Sequence, residues 1–202
     1  EFKILYYINM IKSKSFAFFF LLLLILSSPV KATNGNNIPD KTIDEFKELL
    51  GESKSKKTSR KKSRIIHKRI LRKGKSLIKK NSDAPNRFLI LNIIRQSSLY
   101  LLTLDPSQEN SKILYSICSD LSKAPNEYAN MRLRADMVLF EWYLSEYNAQ
   151  EDNPDDEIRN IISKYQNTDA EKESLIFTAK SAIKLDRHQL KREIQTMMDI
   201  RY

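Results

Sequence analysis

Residues 121–131 read LSKAPNEYANM, and forty positions earlier residues 81–91 read NSDAPNRFLIL. Ala-Pro-Asn followed by an aromatic two residues later therefore occurs twice. Proline suits the first turn of a helix, where its missing N–H would have no intrahelical partner, so the pair reads as one helix start written twice. Aligned on it, Phe88 falls on Tyr128, Leu91 on Met131, Ile93 on Leu133, Leu99 on Leu139 and Tyr100 on Phe140, which predicts matching core positions. A looser third copy, at an offset of forty-four, places Leu175, Phe177 and Ala179 on Met131, Leu133 and Ala135. A repeat near forty residues, made of two helices and short turns, predicts an all-α fold: an array of antiparallel helical hairpins, each burying its apolar face against the next. Such a solenoid is tetratricopeptide-like in its Pro-Asn joint, with a spacing longer than the roughly thirty-four residues of those units.

Outward from the joints, the pattern predicts helices over 85–104, 107–122, 125–148, 154–165, 170–185 and 187–200. Asn153, Thr168 and Asp186 have side chains able to cap exposed N–H groups, and Thr168-x-x-Glu171 forms a capping box. Nearer the N-terminus, Thr42-x-x-Glu45 is another such box ahead of Ile43, Phe46, Leu49 and Leu50, predicting a short amphipathic helix that ends near Gly51. No stretch shows the sustained alternation of a strand, although 88–94 is apolar enough to suit either element by itself. Only three glycines in 202 residues argues against a turn-rich sheet fold.

Charge is unevenly placed. The formal total is +10, yet residues 53–80 hold fourteen Lys or Arg and no acid, while residues 81–202 hold fifteen basic and nineteen acidic residues. The first part of the basic run, 53–63, is polar and self-repelling, which predicts disorder. From Arg64 onward Ile66, Ile70 and Leu77 recur at helical intervals, with Gly74 as a weakness. Lys54, Lys56, Lys57, Arg60, Lys61, Lys62, Arg64, Lys68 and Arg69 are the candidate residues for an anionic surface. The segment lacks the aromatic platforms on which single-strand binders stack bases, so nucleic acid is not the expected partner.

The N-terminal stretch sets that expectation. From Met10 the chain reads as a secretory signal: Lys12 and Lys14, the apolar run 16–26, then small Val30 and Ala32 at a cleavage position. Met10 is the expected start, with residues 1–9 as upstream translation. The eleven-residue run falls short of the roughly 18–20 needed to cross a bilayer, so cleavage after Ala32 is expected, with an uncleaved membrane anchor as the alternative. In an exported protein the basic run faces anionic lipid headgroups or acidic envelope polymers, or remains an unengaged solvated tether. The organisation expected is then 1–32 as upstream residues and signal, 33–63 as linker, short helix and basic disordered segment, and 64–202 as the hairpin domain, with a protein partner for its surface.

No catalytic pattern emerges. Cys118 is the single cysteine and sits among Leu114, Ile117 and Leu121 at helical spacing, which predicts a buried structural thiol and no dithiol chemistry in this chain. Gly35, Gly51 and Gly74 are too far apart for a phosphate loop, and His67 and His188, on distant helices, build no zinc site. His188 reads as an exposed first-turn residue. The acidic run 151–157 lacks the glycine and twelfth ligand of a calcium loop and reads as charge at a helix N-terminus. Phe140, Trp142, Tyr143 and Tyr147 recur at helical spacing and read as core between hairpins before they read as a groove. Catalytic, cofactor and metal residues are therefore assigned to none.

The stretch APNEYANMRLRADMVLFEWYL, followed by a helix ending SKYQNTDAEKESLIFTAKSAIKLDRHQLKREI, resembles the helical region that precedes the redoxin domain in exported bacterial thiol:disulfide oxidoreductases of the thioredoxin-like class. The resemblance covers about residues 84–202. It implies a thioredoxin fold further along with a Cys-x-x-Cys pair, which this chain does not contain. Two functions follow as expectations: a non-catalytic interaction scaffold of an exported protein, or the N-terminal helical part of such an oxidoreductase whose catalytic domain lies outside this chain.

Overall fold

In a computed structural model, which describes residues 37–146 and 153–202, every regular element is helical. The expected signal and upstream residues at 1–32 lie outside the described residues, as do the end of the helix expected to reach 148, Tyr147, Glu151 and Asp152. The helices are α1 (Asp40–Lys54), α2 (Arg60–Lys80), α3 (Arg87–Leu104), α4 (Gln108–Leu121), a 3-10 turn (Asn126–Tyr128), α5 (Ala129–Glu146), α6 (Pro154–Tyr165), α7 (Glu171–Lys184) and α8 (His188–Arg201). Each packs on its neighbour in sequence, and α3 additionally touches α1 and α5.

Two apolar cores result. The first gathers Ile43 and Phe46 of α1, Ile66 and Ile70 of α2, Ile90 and Ile94 of α3, and Leu114 and Leu121 of α4. The second gathers Leu133 and Phe140 of α5, Ile158 and Tyr165 of α6, Leu175 and Ala182 of α7, and Leu190 and Ile194 of α8. Helix α5 belongs to both, because Ala135 on its other face joins the first core. Residues three and four apart share a helix face, so a helix with apolar residues on two sides can serve two cores at once.

Both Ala-Pro-Asn joints precede helices. Ala84 and Ala124 are buried, Ile93 and Leu133 are matching core residues, and the rings of Phe88 and Tyr128 meet at 5.5 Å. The two asparagines serve different purposes. Asn86 accepts the Ile38 N–H at 2.9 Å and donates to the Ile38 carbonyl at 2.8 Å, which fastens the segment before α1 onto the start of α3. Asn126 instead accepts from Arg132 at 3.0 Å.

Several expectations are corrected. Residues 53–63 are not disordered: α1 runs past Gly51 to Lys54, a tight turn follows, and α2 begins at Arg60 with Ser59 accepting the Lys62 N–H. The serines explain this. Ser63 donates to the Ser53 carbonyl at 2.9 Å, Ser53 donates to Leu50, and both are buried where the two helices diverge. Acids of α1 offset the repulsion within the basic run; Lys62 pairs with Glu52 at 2.8 Å. The Thr42 box is absent because α1 starts earlier, after Pro39, in the position that the Asn86 bonds to Ile38 impose. The Thr168 box does not form as expected either: α7 starts at Glu171 after Ala170, which has no side-chain cap, and the two side chains instead brace the preceding turn, Thr168 Oγ1 accepting the Ala170 N–H and Glu171 the Asn167 N–H. Asp186 caps no N-terminus. It closes α7, in the left-handed region at φ 58°, with Asp186 N–H on Ile183 O and Arg187 N–H on Ala182 O, the paired bonds of a Schellman turn.

Gly74, expected as a weakness, is a point of closest approach. A Cβ there would lie 2.6 Å from Ile94 Cγ1 and Cδ1 and 3.4 Å from Phe46 Cε1, so α1, α2 and α3 meet over its bare backbone.

Candidate functional site

Leu99, expected in the core, is 40% exposed, and the reason is a groove. Its walls come from the α1–α2 turn and the first turns of α2, from α3, and from the first turns of α5, around an open concavity of about 1060 Å³. Lys54, Arg60, Arg95 and Arg134 line it together with His67 and Tyr100, and no carboxylate stands among its lining residues. The local sequence accounts for each position. On α2 the inward face carries Ser63, Ile66, His67 and Ile70, which leaves Arg60 at the groove edge. On α3 the residues Asn92, Arg95, Gln96, Leu99, Tyr100 and Thr103 recur at three- and four-residue steps, so one stripe of that helix faces the groove.

The groove is built with fixed parts. Lys54 donates to Gln96 at 2.9 Å, joining α1 to α3 across 42 residues of chain. His67 is nearly fully buried, lies 3.1 Å from the Ser97 hydroxyl through Nδ1, and stacks on Tyr100 at 4.1 Å. Burial, and then the nearby Lys54, hold its pKa below the ordinary 6.5, so it is the neutral imidazole at neutral pH. Arg134 reaches Glu173 of α7 at 2.8 Å. Arg95 is only 8% exposed, and its Nε and Nη2 donate to Asn92 Oδ1 on the same helix at 3.3 and 3.1 Å. No carboxylate pairs with it among the described residues.

The sequence-expected surface residues are divided by the fold. All nine, Lys54 through Arg69, are exposed, but only Lys54 and Arg60 line the groove. Arg64 and Lys68 border a smaller depression beside Asp105 and Glu109, and Arg69 borders another beside Glu45, Glu48 and Glu52. Lys62 is engaged with Glu52. Reasoning from charge runs missed Arg95 and Arg134, which lie in the mildly acidic body. A signal existed: Arg95 stands alone as a cation in the apolar sequence of α3 after its first residue, Arg87.

Other candidate positions settle as structure. Cys118 is buried without exposure, with Leu114, Ile117 and Leu121 around it, and burial pushes its thiol up to about 12. Phe140 meets Phe177 edge-on at 5.7 Å, and Trp142 meets Tyr115 at 5.1 Å, so these aromatics join helices. Asn153 caps α6 through the Asp155 N–H, and Asp155 pairs with Arg187. His188 is exposed at the start of α8, 2.8 Å from Asp186. Among the described residues no group of three His, Cys, Asp or Glu side chains could hold a metal ion, and no helix is long and apolar enough to cross a membrane. Compared with known proteins, the chain matches no family model, no curated protein and no solved structure.

Proposed function

We propose that this chain is a non-catalytic interaction module of an exported protein, a tetratricopeptide-like array of helical hairpins whose groove receives an acidic segment of a protein partner. One observation carries it: Lys54, Arg60, Arg95 and Arg134 converge on a concavity whose lining includes no acid. Charge complementarity then favours an anionic occupant, and a groove walled by several helices is the surface that hairpin arrays present to partners. The order of packing supports the array, with α3 touching both α1 and α5 and with repeat-equivalent Phe88 and Tyr128 in contact. Export remains proposed from Lys12, Lys14 and the 16–26 run.

The test is fluorescence anisotropy with a labelled oligo-glutamate peptide. Binding should saturate, weaken as salt rises, and fall about tenfold in the Lys54→Ser/Arg60→Ser double variant, whose exposed positions leave the core intact. A peptide that does not bind, while anionic vesicles or single-stranded nucleic acid do, would overturn the reading in favour of those surfaces.

The second reading, an N-terminal helical part of an exported thiol:disulfide oxidoreductase, is favoured by the resemblance over residues 84–202. Cys118 would take no part in its chemistry, being buried with its thiol held protonated. Coding sequence downstream of Tyr202 that continues into a Cys-x-x-Cys region would support it, and a stop codon there would remove it.

A further inference from the structure

The two most buried arginines of the molecule are differently satisfied. Arg132 donates through Nη1 and Nη2 to the Ala124 carbonyl at 2.9 Å, to Asn126 Oδ1 at 3.0 Å and to the Lys164 carbonyl at 3.3 Å, its guanidinium lies 4.9 Å from the Tyr165 ring centroid, and only its Nε, sealed from solvent, lacks a partner. It ties the second Ala-Pro-Asn joint to the last turn of α6, whose carbonyls carry the negative end of the helix dipole. Arg95, equally buried, has for its five N–H donors a single acceptor, Asn92 Oδ1, which takes Nε and Nη2. Its Nη1 makes no hydrogen bond with the described residues. A guanidinium stays charged in a protein, and a buried charge is ordinarily paired with an acid or satisfied by several carbonyls. Arg95 has neither, and it lines the groove rather than a closed core.

Burial is the main influence against the charge on Arg95; of its neighbours, Cys118 favours that charge and Arg134 disfavours it. The carboxylate that would relieve Arg95 is missing from the groove, while Asn92 and Asn130 stand in its lining as neutral donors and acceptors. Arg134 spends one guanidinium nitrogen on Glu173 and retains others.

We infer that the floor of the groove is an oxyanion subsite, in which Arg95 receives one anionic group of the ligand, a carboxylate or a phosphate ester, with Arg134 as the second cation. Planar guanidinium groups pair with two oxygens at once, so the subsite selects an oxyanion over a spherical ion such as chloride. This rests on the reading of the groove as a binding surface and adds the residue that anchors the ligand there. Lys54 and Arg60 at the rim attract charge over distance, and Arg95 reads its shape.

The test observes the arginine Nε–H resonances of the full chain by nuclear magnetic resonance, with the Arg95 signal assigned by its loss in Arg95→Lys. Inorganic phosphate, acetate and chloride are titrated at matched ionic strength. A saturable shift of Arg95 with phosphate or acetate, absent with chloride and absent at Arg132, is the expected result, and the anion giving the larger effect identifies the ligand group. An unmoved Arg95, or equal response to chloride, overturns the subsite. Arg95→Lys, which keeps charge but loses the fork, should also weaken oligo-glutamate peptide binding by about tenfold or more if the anchoring group is a carboxylate. Should the variant lose its helical circular dichroism, the Arg95 signal is assigned in the wild-type protein by through-bond correlation of Nε–H to its own backbone, and the wild-type titration decides. A peptide that binds and responds to the rim substitutions while Arg95 stays silent leaves the module standing and removes the anchor. Arg95 shifting with phosphate alone, with the peptide unbound, keeps the subsite and removes the acidic-peptide reading.

Discussion

The same chemical change at two glycines should act with opposite signs. Gly51 lies inside α1, with nothing within 4 Å of where a Cβ would stand, so Gly51→Ala removes the backbone-entropy cost of glycine in a helix and should stabilise by about 0.5–1 kcal/mol. Gly74→Ala gains the same helix propensity but drives a methyl against Ile94, whose Cγ1 and Cδ1 both lie 2.6 Å away and which is 1% exposed. Overpacking in a filled core typically costs 1–3 kcal/mol, so a net loss of about 1 kcal/mol is expected, read from urea midpoints of both variants. His67 supplies a pH dependence at this scale. Its folded pKa is lowered, by burial and then by Lys54, so on acidification the unfolded chain takes up a proton first. Stability linked to His67 is therefore present above its ordinary value of 6.5 and is lost as pH falls from there toward the folded pKa. Ser97 and Tyr100 of α3 and Lys54 of α1 are its neighbours. His67→Gln should shrink the drop in urea midpoint between about pH 7.5 and about pH 5.5, with the carboxylate contribution common to both proteins.

At the level of elements, a polar network joins α5 to α6 beside their shared core. Tyr165, without exposure, donates its hydroxyl to Asp136 Oδ2 at 2.6 Å, and Lys164 reaches the same carboxylate at 2.7 Å. Burial and Asp136 keep the Tyr165 hydroxyl protonated as a donor. Tyr165→Phe keeps the ring against Arg132 but strips a nearly buried carboxylate of its neutral donor, with Lys164 left as partner. The expected loss is about 1–3 kcal/mol by urea denaturation, and Lys164→Met should cost less, because Lys164 is half exposed and water replaces part of its contact. Much of the element scale was legible beforehand. The boundaries of α3, α4, α6, α7 and α8 fall within two residues of those expected, since proline, capping residues and the apolar period act locally. The 53–63 segment was not legible, because its order depends on Ser53 and Ser63 meeting where two helices part, and on acids of α1 that lie earlier in the chain.

At the level of the molecule, α5 stands between the two cores, giving Ala135 to one and Leu133 and Phe140 to the other. Each core thus lacks a wall unless the other is in place. Unfolding should be a single cooperative transition in urea. Trp142, the only tryptophan, packs on Tyr115 at the α4–α5 contact, so its fluorescence reports locally while circular dichroism reports every helix. The two curves should coincide, and Leu133→Ala should shift both together, by about 2–5 kcal/mol. Two separated transitions would show that α5 couples the cores weakly.

Sequence by itself determined the class, since apolar residues at three- and four-residue steps, punctuated by proline and caps, admit helices and little else. It also determined that Cys118 would be buried and that both Ala-Pro-Asn joints would precede helices. Tertiary structure alone decided where charge converges. A run of lysines and arginines on a helix is spread around its circumference by the 100° step between residues, so contiguity in sequence disperses the basic segment, and Lys54 and Arg60 alone among the nine candidates reach the groove. Arg95 and Arg134 reach it from helices far along the chain, and their conjunction is set by the packing of α3 against α2 and α5, a long-range fact that no local pattern carries.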